Sequence, residues 1–114
     1  MVAHSLGCLT LAHWAASAQA AIKATLLVAV PDPDGSDFPK TATGFEVTPT
    51  QPLPFASIVV TSTNDPYGTA EYASRLANAW GSRLVNIGAR GHINADSDLG
   101  AWPDGYKLLT QLRA

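Results

Sequence analysis

Two short, uninterrupted apolar runs limit the folds open to this chain more than any other feature. Thr25-Leu26-Leu27-Val28-Ala29-Val30 stops at Pro31, and Ala56-Ser57-Ile58-Val59-Val60-Thr61-Ser62 runs into a polar turn. A strand with one wet face alternates apolar and polar residues; a run without alternation belongs in a sheet covered on both sides, which is the signature of parallel strands. Helical patterns sit between and around these runs. Leu9, Leu11, Ala12, Trp14, Ala15, Ala18, Ala21 and Ile22 predict a helix from Cys8 to Lys23. Ala73, Leu76, Ala77 and Trp80 predict another from Thr69, a capping residue, to a stop at Gly81. Arg83–Ile87 reads as a further strand, and Tyr106–Leu112 as a closing helix with Leu108, Leu109 and Leu112 inward. The fold class is α/β, a parallel sheet flanked by helices in a three-layer sandwich.

Residues 1–114 are short enough for a single domain, and 14% charged against 46% hydrophobic residues favours a packed core over disorder. A net charge of -2, with seven Lys and Arg scattered along the chain, gives no basic patch for nucleic acid or an anionic membrane. Cys8 is the single cysteine, so an internal disulfide is excluded, and no Cys/His spacing suggests a zinc site. A reducing, cytoplasmic setting is expected. No apolar run reaches bilayer-spanning length, and no signal peptide is expected.

Between the two apolar runs the composition shifts. Pro31, Pro33, Pro39, Pro49, Pro52 and Pro54, interleaved with Asp32, Asp34, Gly35, Ser36 and Asp37, oppose regular structure over residues 31–54. A connection this long inside a compact domain is usually functional or disordered. Phe38, Phe45 and Phe55 favour a packed loop, expected to act as a lid beside the site.

The chemistry is concentrated at strand ends. Ala3-His4-Ser5-Leu6-Gly7, followed at once by a helical pattern, fits a strand–turn–helix nucleophile elbow, with small residues two positions either side of the serine. The helix would aim its first N–H groups at a developing oxyanion, and the backbone N–H of Leu6 is the expected oxyanion-hole donor. Asp65 follows the second apolar run, and His92 lies in a glycine-rich loop after the next strand, between Gly91 and Ile93. Ser5, Asp65 and His92 thus occur in the chain order of the α/β-hydrolase triad: nucleophile, orienting acid and general base. A serine hydroxyl attacks a carbonyl only when a base takes its proton, and imidazole suits that task near neutral pH. Each residue also has a plainer reading: Ser5 as a helix cap, Asp65 as a turn residue before Pro66, His92 as a loop residue satisfying backbone groups. His4 and His13 read as structural, His4 packing near the elbow, and Cys8 as a small buried residue.

Five segments together resemble the small serine hydrolases typified by bacterial YdeN and retinoblastoma-binding protein nine: Ala3-His4-Ser5-Leu6-Gly7-Cys8, Ser62-Thr63-Asn64-Asp65-Pro66-Tyr67, Ala79-Trp80-Gly81-Ser82, Gly91-His92-Ile93-Asn94 and Trp102-Pro103-Asp104-Gly105. The resemblance implies an α/β-hydrolase fold, cytoplasmic residence, no cofactor, and esterase-like cleavage of small acyl substrates by Ser5, His92 and Asp65. It also implies several strands and a helix ahead of the elbow, with a loop supplying a second oxyanion donor. Against that pattern the chain reads as a C-terminal portion lacking those strands, with one sheet edge open to self-association. The competing class is a non-catalytic interaction module that keeps the fold and a partner surface.

Overall fold

The computed structural model describes residues 1–17 and 22–113. The elements are β1 (Val2–His4), α1 (Leu6–Ser17), β2 (Ala24–Val28), β3 (Ala56–Thr61), α2 (Ala70–Trp80), β4 (Arg83–Asn86) and α3 (Pro103–Arg113), with a single 3₁₀ turn at Ala95–Ser97. All four strands pair in parallel, in the order β1-β2-β3-β4. Strands that step one way across a sheet through right-handed crossovers place every crossover on the same face. Accordingly α1, α2 and the Pro-rich connection share one face, and α3, after the last strand, covers the other.

Side-chain alternation on the strands divides the core in two. Leu27 and Val59 point into a cluster with Cys8, Leu9, Leu11 and Ala12 of α1 and Tyr72, Ala73, Leu76, Ala77 and Trp80 of α2. Leu26, Val28, Ile58 and Val60 point the other way, towards Leu108 of α3 and Ile93 of the histidine loop. β2 and β3 therefore bury both faces, which is why their apolar runs have no polar alternation.

Element ends depart from the sequence pattern for local reasons. β2 stops at Val28 because Ala29 turns into the left-handed region (φ 57°), although its N–H still reaches Val60 O at 3.0 Å. The first helix starts two residues earlier than its apolar pattern and has ended before Ile22 and Lys23; residues 18–21 of the expected helix lie outside the described residues. α2 matches its expected limits, with Thr69 Oγ1 accepting from Tyr72 N and Gly81 closing the helix at φ 71°. α3 begins at Pro103 rather than Tyr106, since proline suits the first helical position and needs no N–H acceptor. A Cβ at Gly105 would collide with the Trp102 ring, so glycine there lets the indole fold over the first turn of the helix.

Residues 31–54 contain neither helix nor strand. They are nonetheless fastened to the α1/α2 face. Phe38, Phe45, Leu53 and Phe55 pack on the core cluster there, Trp80 Nε1 donates to Pro49 O at 2.7 Å, and Tyr72 Oη donates to Pro31 O at 3.0 Å. Burial pushes the Tyr72 phenol up to about 12, so it remains a donor.

Candidate active site

The carboxyl ends of the strands form one rim, and Ser5 stands on it between the last residue of β1 and the first of α1. Its backbone is left-handed (φ 56°), a conformation that costs a non-glycine residue about 1–2 kcal/mol. Val28 O holds the turn from beneath, accepting from Ser5 N at 2.9 Å and from Cys8 Sγ at 3.4 Å. Cys8 is fully buried, and desolvation pushes its thiol up to about 12, so it stays a neutral packing group. A Cβ at Gly7 would stand 3.9 Å from Ala3 Cβ, so the two small residues flanking the serine lie against each other across the turn. Leu6 opens α1, where first-turn N–H groups have no intrahelical acceptor.

Asp65 follows β3 in a turn closed by its own side chain, Oδ1 accepting from Tyr67 N at 2.9 Å. Gly68 completes the turn: a Cβ there would overlap the carbonyl oxygen of Val30, so only glycine lets the loop lie against the segment that follows β2. The Asp65 side chain is 2% exposed and that of His92 11%.

His92 reaches the rim on a loop bent at two left-handed residues, Gly91 (φ 61°) and Ile93 (φ 51°). Glycine adopts that geometry without penalty, whereas β-branched isoleucine does not. Ile93 is 7% exposed in the α3-side core; burying such a side chain stabilises by about 2 kcal/mol, enough to offset the backbone cost. The loop is tied to the turn after β3 by side chains whose part the sequence pattern gave no reason to expect. Arg90 N donates to Ser62 Oγ at 2.9 Å, Gly91 N to Asn64 Oδ1 at 2.6 Å, and Ser62 Oγ to the same Asn64 oxygen at 3.0 Å. Asn94 serves on the far side of the histidine, its Oδ1 accepting from Asp96 N at 3.1 Å in the 3₁₀ turn.

These elements bring the three candidate residues together. His92 Nε2 lies 2.7 Å from Ser5 Oγ, and Nδ1 lies 3.0 and 2.9 Å from the two Asp65 carboxylate oxygens. A carboxylate only accepts, so Nδ1 carries the proton and Nε2 is free to accept from the serine hydroxyl. Tyr67 flanks the imidazole with ring centroids 4.5 Å apart, and His4 flanks it at 5.0 Å. His4 Nε2 also lies 3.0 Å from His92 O, a specific bond where sequence suggested only packing. His13 is elsewhere, its ring edge-on to Phe45 at 5.8 Å. Beside His92 lies an open cleft of about 530 Å³, lined in part by Asn64, Tyr67, Arg90 and Asp96.

A serine on a strand–turn–helix elbow, facing an imidazole over a parallel sheet with helices on both sides, defines the α/β-hydrolase class of fold. Residues 1–111 match the family model described as serine hydrolase, and the chain belongs to that family. A YdeN-like hydrolase from Pectobacterium atrosepticum is similar at 32% identity and a TM-score of 0.83, over 97% of this chain and 57% of that one. The esterase domain of a Rhodothermus marinus protein shares the fold at 17% identity and a TM-score of 0.69, over 98% of this chain and 60% of that one. A Bacillus cereus carboxylesterase does so at 17% and 0.54, over 94% and 48%. The chain thus spans 57% and 60% of the first two structures' lengths. No curated protein matches the sequence. Among the described residues no helix is long and apolar enough to cross a membrane.

Proposed function

We propose that this chain carries the reacting groups of a hydrolase that cleaves small carboxylic esters through an acyl-enzyme: Ser5 as nucleophile, His92 as general base and acid, Asp65 as the orienting carboxylate. The supporting observation is the unbroken relay Ser5 Oγ–His92 Nε2–His92 Nδ1–Asp65, at 2.7 Å and then 2.9 Å. His92 Nε2 takes the hydroxyl proton as Ser5 Oγ bonds to the ester carbonyl carbon, and Asp65 stabilises the imidazolium that forms. The Leu6 N–H faces the oxyanion. Collapse of the tetrahedral intermediate breaks the bond to the alcohol, which leaves with the proton from Nε2. Water, activated by the same nitrogen, then releases the acid. None of these steps calls for a cofactor.

All of residues 1–114 form one domain in this reading. The connection 31–54 helps shape access to the rim, because Asp32 N donates to Tyr67 O at 2.7 Å and so ties its start to a neighbour of His92. A lone thiol buried in the core fits a reducing, cytoplasmic setting.

The test is hydrolysis of p-nitrophenyl acetate by the full chain and its variants. Ser5→Ala and His92→Ala should each lower turnover by about 10⁴-fold or more with little change in unfolding midpoint. Wild-type turnover by either variant would refute the assignment.

A second reading is favoured by one observation. Met1 and Val2 are 56% and 54% exposed, and with Trp14 they line an apolar groove of about 480 Å³ along the outer edge of β1. On that reading the chain is an interaction module that self-associates through this edge. The two readings part on whether Ser5 reacts with ester substrates.

A further inference from the structure

The relay holds His92 only while the serine keeps its proton. Once Ser5 is acylated its oxygen has no hydrogen to donate, and the bond to Nε2 is lost at the moment when that nitrogen must activate water. What holds His92 then is the Asp65 carboxylate on Nδ1, at 2.9 and 3.0 Å, and, on the loop itself, two further groups of bonds. Ser62 and Asn64 grip Arg90 and Gly91 from the turn after β3, and Ser97 Oγ donates to Arg90 O from within the loop. From the nucleophile's own strand there is the His4 side chain, whose Nε2 lies 3.0 Å from His92 O. A carbonyl oxygen only accepts, so Nε2 is the donor. His4 is the last residue of β1 and the immediate neighbour of Ser5, and its ring lies against that of His92 with centroids 5.0 Å apart.

We propose that His4 is a positioning residue for the second half of the reaction: its Nε2–H···O=C bond keeps the His92 imidazole over the elbow after acylation has removed the Ser5–His92 bond. The inference rests on the Ser5–His92–Asp65 reading. It assigns to His4 no proton transfer and no contact with substrate. Its consequence is unequal. Acylation, with the serine hydroxyl still bonded to Nε2, depends little on His4; deacylation depends on it directly.

The experiment uses the full chain with p-nitrophenyl acetate, following the burst and the steady state separately. His4→Ala should lower the deacylation-limited kcat about tenfold, the loss expected for one hydrogen bond, and leave kcat/KM within about twofold. His4→Gln, whose Nε2 can reach the same carbonyl, should restore kcat. A structural defect would instead lower kcat and kcat/KM together and would not be rescued by glutamine; that result, or an unchanged kcat in His4→Ala, overturns the proposal.

A second readout needs no turnover. The downfield Nδ1 proton of His92, shared with Asp65, should remain visible by NMR in Ser5→Ala, where His4 still holds the loop from β1. It should be lost to solvent exchange in Ser5→Ala/His4→Ala and return in Ser5→Ala/His4→Gln. Persistence of the signal in the His4→Ala double variant also overturns the proposal. Failure of the underlying reading looks different: it is a Ser5→Ala variant that hydrolyses ester at the wild-type rate.

Discussion

The rim at the carboxyl ends of the strands and the outer edge of β1 share residues, yet they meet solvent in opposite ways. On the rim, polar groups are matched to one another: Asp65 accepts from Tyr67 N and His92, Asn64 from Gly91 N and Ser62, and His4 reaches His92 O. Along the edge, Met1, Val2 and Trp14 present apolar surface over a groove of about 480 Å³, on the first strand of the described sheet. One region is a network of directed hydrogen bonds, the geometry on which the proposed chemistry rests. The other presents exposed apolar side chains, the feature on which the interaction-module reading rests. Val2 and Ser5, so close in sequence, therefore call for different kinds of experiment.

The sharpest way to break the contrast is Asp65→Asn. With its oxygen kept for Tyr67 N, the amide presents an N–H to His92 Nδ1, favouring the tautomer that cannot take the serine proton. Turnover should fall about 10⁴-fold with the fold intact, as read by steady-state kinetics and circular dichroism. A fall of less than tenfold would mean that the carboxylate does not orient the base.

Next in size is a backbone test of the same rim. Gly68→Ala sets a methyl group against the Val30 carbonyl and should cost about 2–3 kcal/mol in urea unfolding. An unchanged midpoint would show that the Asp65 turn does not need its close approach to Val30. The smallest effect belongs to the edge. The wild-type chain should associate with rising concentration by light scattering, and Val2→Lys should weaken that association by placing a charge on the exposed strand. A wild-type monomer at all concentrations would remove the contact role from this region.

Regular structure buried on both faces was legible in the sequence, because apolar runs and helical spacing are local signals. β2, β3, α2 and β4 could be placed to within a residue or two. β1 was hard to see: three residues carry no periodicity, and its strand character comes from pairing Val2–His4 with Leu26–Val28. The early end of β2 was hidden as well, since an alanine gives no sign of a left-handed backbone until the turn at Val28–Ala29 requires it. Ser5, Asp65 and His92 could be singled out by chain order and by their place after strands. The ties among them could not. Ser62 read as the last residue of an apolar run, Asn64 as part of the polar turn after it and His4 as packing, and nothing marked Gly105 as the space for an indole, because each role depends on a partner distant in the chain or on a ring folding back.

The central claim is that the hydroxyl of Ser5 is activated by the imidazole held 2.7 Å away. Incubation of the folded chain with a fluorophosphonate probe, followed by mass spectrometry of its peptides, tests this most directly. The account predicts one adduct per chain, located on Ser5 and absent from His92→Ala. A folded chain left unlabelled, or labelled equally well without His92, would contradict it.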